Sequence, residues 1–207
     1  MPPPPAPPAA PPRRLVVAIT GASGAAYGLT ALRLLREDPG VETHLVVTRG
    51  ARATIREELG TPVPGLAALA DVVHSEGNLG ASIASGSFRA HGMLVAPCSV
   101  KTLSGIATSC ADNLVVRAAD VMLKERRRLV LLLRETPLHL GHLRLMTAAT
   151  EAGAVVMPPV PAFYAHPKSL DDMVEFTVVR ALDLLDAGTA PIPRWRGNDA
   201  PPRTPHP

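Results

Sequence analysis

Aromatic residues and cysteines are scarce in this chain of 207 residues, which has three Phe, two Tyr, one Trp and two Cys. Cys98 and Cys110 stand in apolar surroundings without a pairing pattern, so a disulfide scaffold is excluded and a reduced, cytoplasmic protein is expected. No apolar run reaches the roughly 18 residues of a membrane span, so no membrane partner is expected. The formal net charge of +3 is too small to indicate a nucleic-acid partner.

An acidic residue is also missing where a dinucleotide-binding chain needs one. Residues 15–19 form a short apolar run that predicts a buried strand, and the glycine-rich residues 20–28 lead from it into a helix. Such a turn directs backbone N–H groups and a helix dipole at a phosphate. The next predicted strand, 41–47, is followed by Thr48 and Arg49 instead of the Asp or Glu that holds a ribose. A hydroxyl and a cation favour a mononucleotide, with FMN as the candidate.

Strand and helix signals alternate from residue 14 onward. This alternation predicts a three-layer, Rossmann-like (flavodoxin-like) α/β fold, with a parallel sheet and helices on both faces. We expect strands near 14–20, 41–47, 70–74, 92–96, 128–134 and 154–157. Helices are expected near 24–37, 50–58, 99–108, 111–126, 139–152 and 169–187.

The two ends of the chain differ in composition from the rest. Residues 1–13 are rich in Pro and Ala, without the charged and apolar regions of a signal peptide, and are expected to be a disordered extension. Residues 197–207 are expected to be a disordered tail, which leaves one domain over 14–196. Because open α/β sheets bind ligands at the carboxyl ends of strands, residues from several loops should meet there. The residues expected in this crevice are Gly21, Thr48, Ser85, Ser99, Arg134 and Tyr164.

A second strand-to-helix turn lies at residues 97–105 and carries hydroxyls. Ser99 alone would be interpreted as a helix N-cap, but two such turns in one sheet favour a binding site. Arg117 and Lys124 are seven residues apart and share one helical face, where they could clamp a phosphate or be solvated; the spacing does not decide. Arg134 and Glu135 follow a predicted buried strand, and Glu135 suits a general acid/base.

Five segments together resemble one enzyme family, the flavin prenyltransferases (UbiX-like), once described as aromatic acid decarboxylases. The segments are 20–25, 85–88, 97–102, 117–127 and 134–138, and the resemblance extends over about 14–196. It implies a metal-independent prenyltransferase that joins a dimethylallyl group from dimethylallyl phosphate to N5 and C6 of reduced FMN. The product, prenylated FMN, would serve a partner decarboxylase of the ubiquinone or aromatic acid type. The resemblance also implies a homo-oligomer, a dodecamer.

The same resemblance implies roles for individual residues. The residues lining FMN would be Gly21, Ala22, Ser23, Thr48, Ser99, Val100, Lys101, Thr102 and Arg117. The residues holding the prenyl phosphate would be Gly86, Lys124, Arg134, Tyr164 and Arg180. Glu135 would be the acid/base and Glu58 a further active-site acid, with Lys124 and Trp195 also catalytic. Cations would stabilise the leaving phosphate, and Trp195 would offer a π-face to the allylic cation.

Two other functions share the expected fold and FMN. An FMN-dependent cysteine decarboxylase carries the sequence Pro-Ala-Ser-Ala-Asn-Thr after its fourth strand, where this chain has Lys101 in place of the key Asn. A non-catalytic FMN carrier would not need the set of Lys124, Glu135, Tyr164 and Arg180. Both remain alternatives to the prenyltransferase.

Three further patterns are given structural interpretations. Asp171 and Asp172 resemble a magnesium motif, but with Ser169 they fit a capping box at the last helix. Tyr164 and Lys168 have the spacing of a dehydrogenase pair, but the surrounding prolines prevent the continuous helix that this pair needs. His139 and His142 are assigned no catalytic role, and no metal-ligand cluster is expected.

Overall fold

The computed structural model describes residues 11–60 and 62–187. Its strands are β1 (Arg13–Ile19), β2 (Val41–Val47), β3 (Val72–His74), β4 (Gly92–Cys98), β5 (Arg128–Leu133) and β6 (Val155–Val156). They form one parallel sheet in the order β3-β2-β1-β4-β5-β6. The chain order reverses between β1 and β4, which is the point at which such sheets open a ligand crevice. The predicted fold class is confirmed.

Seven helices connect or follow the strands in the described part of the chain. They are α1 (Ala25–Arg36), α2 (Arg49–Leu59), α3 (Val63–Ala67), α4 (Val100–Ala107), α5 (Leu114–Lys124), α6 (Leu140–Glu151) and α7 (Leu170–Asp183). Single 3₁₀ turns occur at Ser82–Ala84 and Phe163–Ala165. The helix predicted from 111 begins at 114, because the Asn113 side chain caps it by accepting a hydrogen bond from the Val116 N–H at 3.0 Å.

Both faces of the sheet are buried, which explains why the strands are continuous apolar runs. Side chains on one face, such as Val16 and Val95, pack under α4, α5 and α6. Those on the other face, such as Val17 and Leu94, pack under α1, α2 and α7. This three-layer packing fixes the carboxyl ends of β1 and β4 side by side.

Residues 1–10, 61 and 188–207 are outside the described structure. The predicted disordered tail and the predicted catalytic Trp195 therefore lie outside the described residues, as does most of the predicted N-terminal extension. Among the described residues, no helix has the length and apolar character needed to cross a bilayer.

Candidate functional site

One buried hydroxyl joins the two strand-to-helix turns. The Thr20 Oγ1 donates to the Pro97 carbonyl at 2.7 Å and accepts from the Ser99 N–H at 2.8 Å. Thr20 is 1% exposed, so its hydrogen bonds are satisfied inside the protein. The turn after β1 and the turn after β4 are thereby held together at the reversal point of the sheet, as the sequence predicts.

A cavity of about 1220 Å³ opens beside these turns, and the first turns of α2, α4 and α6 contribute to its wall. The predicted flavin-binding residues in that wall are Gly21, Thr48, Ser99, Val100, Lys101 and Thr102. The volume is ample for a mononucleotide, since ligand pockets of roughly 300–1,000 Å³ hold molecules of drug size.

Hydroxyl caps and backbone N–H groups give this cavity an anion-binding character. Thr48 caps α2 by accepting from the Ala51 N–H at 3.3 Å, and Ser99 caps α4 by accepting from the Thr102 N–H at 3.3 Å. The Ser99 and Thr102 hydroxyls lie 3.1 Å apart. Helix N-termini and hydroxyls are the usual partners of a phosphate, so this end of the cavity suits the phosphate of a mononucleotide.

The start of α2 lies close to the end of β1 because position 21 is glycine. A Cβ atom on Gly21 would lie 3.1 Å from the backbone carbon of Gly50, tighter than ordinary van der Waals contact. Gly21 therefore permits a backbone approach that brings Thr48 into the same wall as Ser99.

A second, smaller cavity of about 360 Å³ adjoins the same turns. It is lined by Gly21, Ala22, Ser23, Ser99, Val100, Arg134, Glu135 and Thr136. The Arg134 N–H donates to the Cys98 carbonyl at 3.0 Å, which extends the β4–β5 ladder to the cavity edge. The structure thus brings the predicted flavin-binding turn together with the predicted cation Arg134 and the predicted acid/base Glu135.

Glu58, in the last turn of α2, caps the N-terminus of α1. Its carboxylate accepts from the Gly24 N–H at 2.9 Å and from the Ala25 N–H at 2.8 Å. Burial raises the pKa of Glu58, but hydrogen bonds from Ser23, Ala25 and Gly24, together with the Arg134 charge, bring the pKa below its ordinary value. The Gly24 and Ala25 N–H groups of the glycine-rich turn are therefore held by a carboxylate of the chain itself, and phosphate binding by this turn stays a prediction for residues 21–23.

The predicted phosphate ligands Gly86 and Lys124 also lie together, away from the two cavities. A Cβ atom on Gly86 would lie 2.7 Å from the Lys124 Nζ. Lys124 pairs with Glu125 at 2.5 Å, and its hydrogen bond and charge lower the pKa of that carboxyl. The Arg127 guanidinium donates to the Gly86 carbonyl at 2.8 Å. This group sits where α5 ends and β5 is about to begin, at the amino edge of the sheet.

Three other residues predicted to bind FMN or the prenyl phosphate contact other parts of the chain. The Arg117 Nε donates to the Ala84 carbonyl at 3.1 Å. The Tyr164 ring contacts Phe176 edge-on, with ring centroids 5.7 Å apart. Arg180 pairs with Asp183 at 2.8 Å in the last turn of α7.

Within one copy of the chain, the described residues of the predicted site do not all line the same cavity. Neither of the two cavities is lined by Ser85, Gly86, Arg117, Lys124, Tyr164 or Arg180. For Ser85 and Gly86 the reason lies in the loop 75–91, which leaves the carboxyl end of β3 and returns to the amino end of β4. The loop carries these two residues away from the edge where the cavities open.

Glu76 lines the larger cavity but is not among the residues predicted from the sequence. A signal for it exists, since Glu76 is the first acidic residue after β3 and the carboxyl ends of strands point at the crevice. His139 was likewise not predicted to cap α6, where its Nδ1 accepts from the Gly141 N–H at 3.0 Å. The His142 Nδ1 is buried without a hydrogen-bond partner among the described residues.

The competing magnesium interpretation is not supported. The Ser169 hydroxyl accepts from the Asp172 N–H at 3.1 Å, and the Asp172 carboxylate accepts from the Ser169 N–H at 3.2 Å. This is the predicted capping box at the start of α7. Across residues 11–60 and 62–187, no group of three or more His, Cys, Asp or Glu side chains is arranged to hold a metal ion.

Comparison with known proteins gives a consistent family. A model of the family described as Flavoprotein matches residues 6–189. Flavin prenyltransferase UbiX of Thauera aromatica is 56% identical over 185 residues, which cover 89% of this chain and 95% of that protein. Flavin prenyltransferase UbiX of Escherichia coli (strain K12) is 56% identical over 186 residues, covering 88% and 98% of the two chains.

Solved structures resemble the chain equally well. AnUbiX (PadA1), crystallised with FMN and dimethylallyl pyrophosphate, has a TM-score of 0.87 and 52% identity, covering 90% of this chain and 98% of its own. A dodecameric FMN-dependent UbiX-like decarboxylase from Escherichia coli O157:H7 has a TM-score of 0.86 and 49% identity, covering 89% and 100%. The cysteine decarboxylase TvaF shares the fold, with a TM-score of 0.60, at only 15% identity.

Proposed function

The chain belongs to the flavin prenyltransferase family, and we propose that it joins a dimethylallyl group from dimethylallyl phosphate to N5 and C6 of reduced FMN. The observation that carries this proposal is the meeting of Arg134 and Glu135 with the turn Gly21–Ser23 in one cavity. An FMN carrier would not require a cation and an acid at that place, and a cysteine decarboxylase would have Asn where this chain has Lys101.

The residues around the larger cavity fit FMN. Thr48, Ser99 and Thr102 provide hydroxyls, and the first turns of α2 and α4 provide N–H groups for its phosphate. Gly21 lets the start of α2 pack against this wall, since its position tolerates no Cβ without a shift of Gly50. Reduced FMN, when bound, supplies the nucleophilic N5 and C6 positions that accept the prenyl group.

The chain's own residues would then assist two steps. Breaking the allylic C–O bond leaves negative charge on the phosphate, and the Arg134 guanidinium would stabilise that charge in the transition state. Forming the second bond, from the prenyl double bond to C6, requires a proton on the other alkene carbon and the loss of the proton from C6. Glu135 would donate the first proton as a carboxylic acid and accept the second as a carboxylate. Glu58 would keep the turn 22–25 in place through its bonds to Gly24 and Ala25.

The remaining predicted ligands would reach the donor phosphate from another copy of the chain. Gly86, Lys124 and Arg180 lie near the amino edge of the sheet, whereas Arg134 and Glu135 lie at the carboxyl edge. A homo-oligomer, proposed as a dodecamer like the relative from Escherichia coli O157:H7, would bring the two edges together.

We propose the rest of the biological setting from the same family. The catalytic domain is taken as residues 14–196, and the product recipient is a decarboxylase that uses prenylated FMN. The free thiols of Cys98 and Cys110 fit a reducing cytoplasm.

The test is an anaerobic incubation of the purified protein with reduced FMN and dimethylallyl phosphate, followed by mass spectrometry of the released flavin. Dimethylallyl pyrophosphate is run in parallel as a second donor. We expect a flavin heavier by one prenyl unit, and we expect Glu135→Gln to slow its formation by about 10²- to 10⁴-fold while FMN binding is retained. Glu151→Gln, a change at an exposed position at the end of α6, is the matched control and should keep full activity.

Unmodified FMN from a protein that demonstrably binds it would contradict the transferase and favour the carrier or the decarboxylase. Full activity in Glu135→Gln would keep the transferase and remove Glu135 from the proposed role.

A further inference from the structure

Glu76 places a negative charge at the end of the larger cavity where hydroxyls and helix N-termini favour an anion. Its carboxylate Oε2 accepts from the Arg49 N–H, the first backbone donor of α2, at 2.5 Å. Its backbone carbonyl accepts from the Leu114 N–H at the start of α5, at 2.8 Å. Glu76 is therefore fixed by its backbone, while its side chain holds the donor that a phosphate would use.

The first turn of α2 has no acidic residue of its own, and its cap is the neutral Thr48. The start of a helix favours an anion, and Glu76 supplies one from the loop after β3. Arg49, Lys101 and Arg144 are the cations in the same wall, and Asp112 is the other acid. A flavin phosphate that binds at the start of α2 would find the Arg49 N–H already bonded to the Glu76 carboxylate. The two negative charges would repel each other.

We propose that the Glu76 carboxylate stands in for the FMN phosphate at the start of α2 and has to give up this position when the flavin binds. The inference rests on the proposed function, in which FMN is a substrate and the prenylated flavin must leave. Because the flavin phosphate must displace the Glu76 carboxylate, the affinity for the phosphate end of the flavin is lowered. When the product leaves, the carboxylate returns to the Arg49 N–H. Glu76 thus sets how tightly the phosphate is held, without touching the ring at which the chemistry occurs.

The test compares FMN with riboflavin, which has the same ring system and no phosphate. Dissociation constants are measured by flavin fluorescence for the wild type, Glu76→Gln and the matched control Glu57→Gln. Glu57 is an exposed carboxylate near the end of α2 and lies in the wall of neither cavity. Glutamine keeps an oxygen that can accept from the Arg49 N–H, so the start of α2 is preserved, and thermal unfolding verifies that the variants are folded.

We expect Glu76→Gln to bind FMN about tenfold more tightly, the effect of removing one unfavourable charge contact, while riboflavin affinity changes less than about twofold. Glu57→Gln removes the same charge away from the cavity and should change neither affinity by more than about twofold. Stopped-flow measurement should also show slower release of prenylated FMN from Glu76→Gln.

Unchanged or weaker FMN binding in Glu76→Gln would overturn the inference and leave Glu76 as a brace between α2 and α5. An equal gain for riboflavin would overturn it as well, because the effect would not depend on the phosphate. A wild type that binds no FMN would remove the proposed function itself, so the two failures are distinguishable.

Discussion

At the scale of single residues, Glu58 acts as a helix cap supplied from a distant position in the sequence. Gly24 adopts a left-handed conformation before α1 and has no side chain to cap it, and Glu58 provides the missing acceptor. We expect Glu58→Ala to lower the free energy of unfolding by about 1 kcal/mol at pH 7, the usual size of a lost cap. Urea denaturation measures this, and Glu57→Ala, at the adjacent exposed position, should change stability by less than about 0.5 kcal/mol.

The contribution of Glu58 should depend on pH in one direction. Because its pKa is lower in the folded state than in the unfolded chain, the carboxylate stabilises the fold above the ordinary pKa of a glutamate. The difference between wild type and Glu58→Ala should be constant from about pH 6 to pH 8 and shrink as the pH falls below about 4. A difference that grows in acid would contradict this assignment.

Single residues were predictable where the sequence itself defines their place. Thr48 and Ser99 follow strands directly, so their location in one wall follows from the parallel sheet. The partners of Glu58 and Glu76 were not predictable, because each contact joins segments separated by 27 residues or more, and its formation depends on how helices pack. The sequence contains the acids but not the helix starts that they reach.

At the scale of elements, the position of α1 depends on a glycine inside the helix. A Cβ atom on Gly28 would lie 2.6 Å from the Ala96 carbonyl oxygen and 2.7 Å from the Ile19 side chain. Replacing an interior helix glycine by alanine ordinarily gains about 1 kcal/mol. Here we expect Gly28→Ala to lose about 1–3 kcal/mol, because the backbone of β4 cannot yield as a flexible side chain could.

Gly50 in the first turn of α2 is the control for this prediction. Its added Cβ would meet Gly21 at 3.6 Å, an ordinary contact, so Gly50→Ala should be neutral or slightly stabilising in the same denaturation experiment. If Gly28→Ala were as stable as Gly50→Ala, α1 would have to sit farther from the sheet than the structure shows.

The elements themselves followed closely from the alternation of apolar runs and helical patterns. The strand predicted at 41–47 has those bounds, and that at 128–134 is observed as β5, Arg128–Leu133. The short α3 was missed, because the prolines at 62 and 64 are typical of a loop, although Pro is also tolerated in the first turn of a helix. Prolines at such positions do not distinguish a loop from a helix of only five residues.

At the scale of the whole molecule, the predicted site is divided between two edges of the sheet. Helix α5 begins beside Glu76, past the carboxyl end of β3, and ends with Lys124 just before β5 begins. Lys124 is therefore about one helix length of 11 residues away from the edge that holds Glu135. Sequence motifs indicate which residues belong to a shared site but not which copy of the chain presents each one, so the placement of Lys124 and Glu135 at opposite edges was not predictable.

This division predicts complementation between inactive variants. Glu135→Gln and Lys124→Ala should each be nearly inactive alone, since every site then lacks either the proposed acid/base or the proposed phosphate cation. Co-expressed with different tags and purified as mixed oligomers, they should recover activity, because some sites combine an intact carboxyl edge with an intact amino edge from another copy. For random mixing of two variants, about a quarter of the sites are complete in a symmetric assembly.

Two controls accompany this experiment. A chain that carries both substitutions, co-expressed with wild type, also gives complete sites. Each inactive single variant expressed alone gives no complete site. Prenyl transfer by the mixed Glu135→Gln and Lys124→Ala oligomers, read out by mass spectrometry of the flavin, would mean that Lys124 serves a site on a neighbouring copy. Inactive mixed oligomers that still bind FMN would require both residues to act within one chain, and α5 would then have to move to carry Lys124 toward the carboxyl edge.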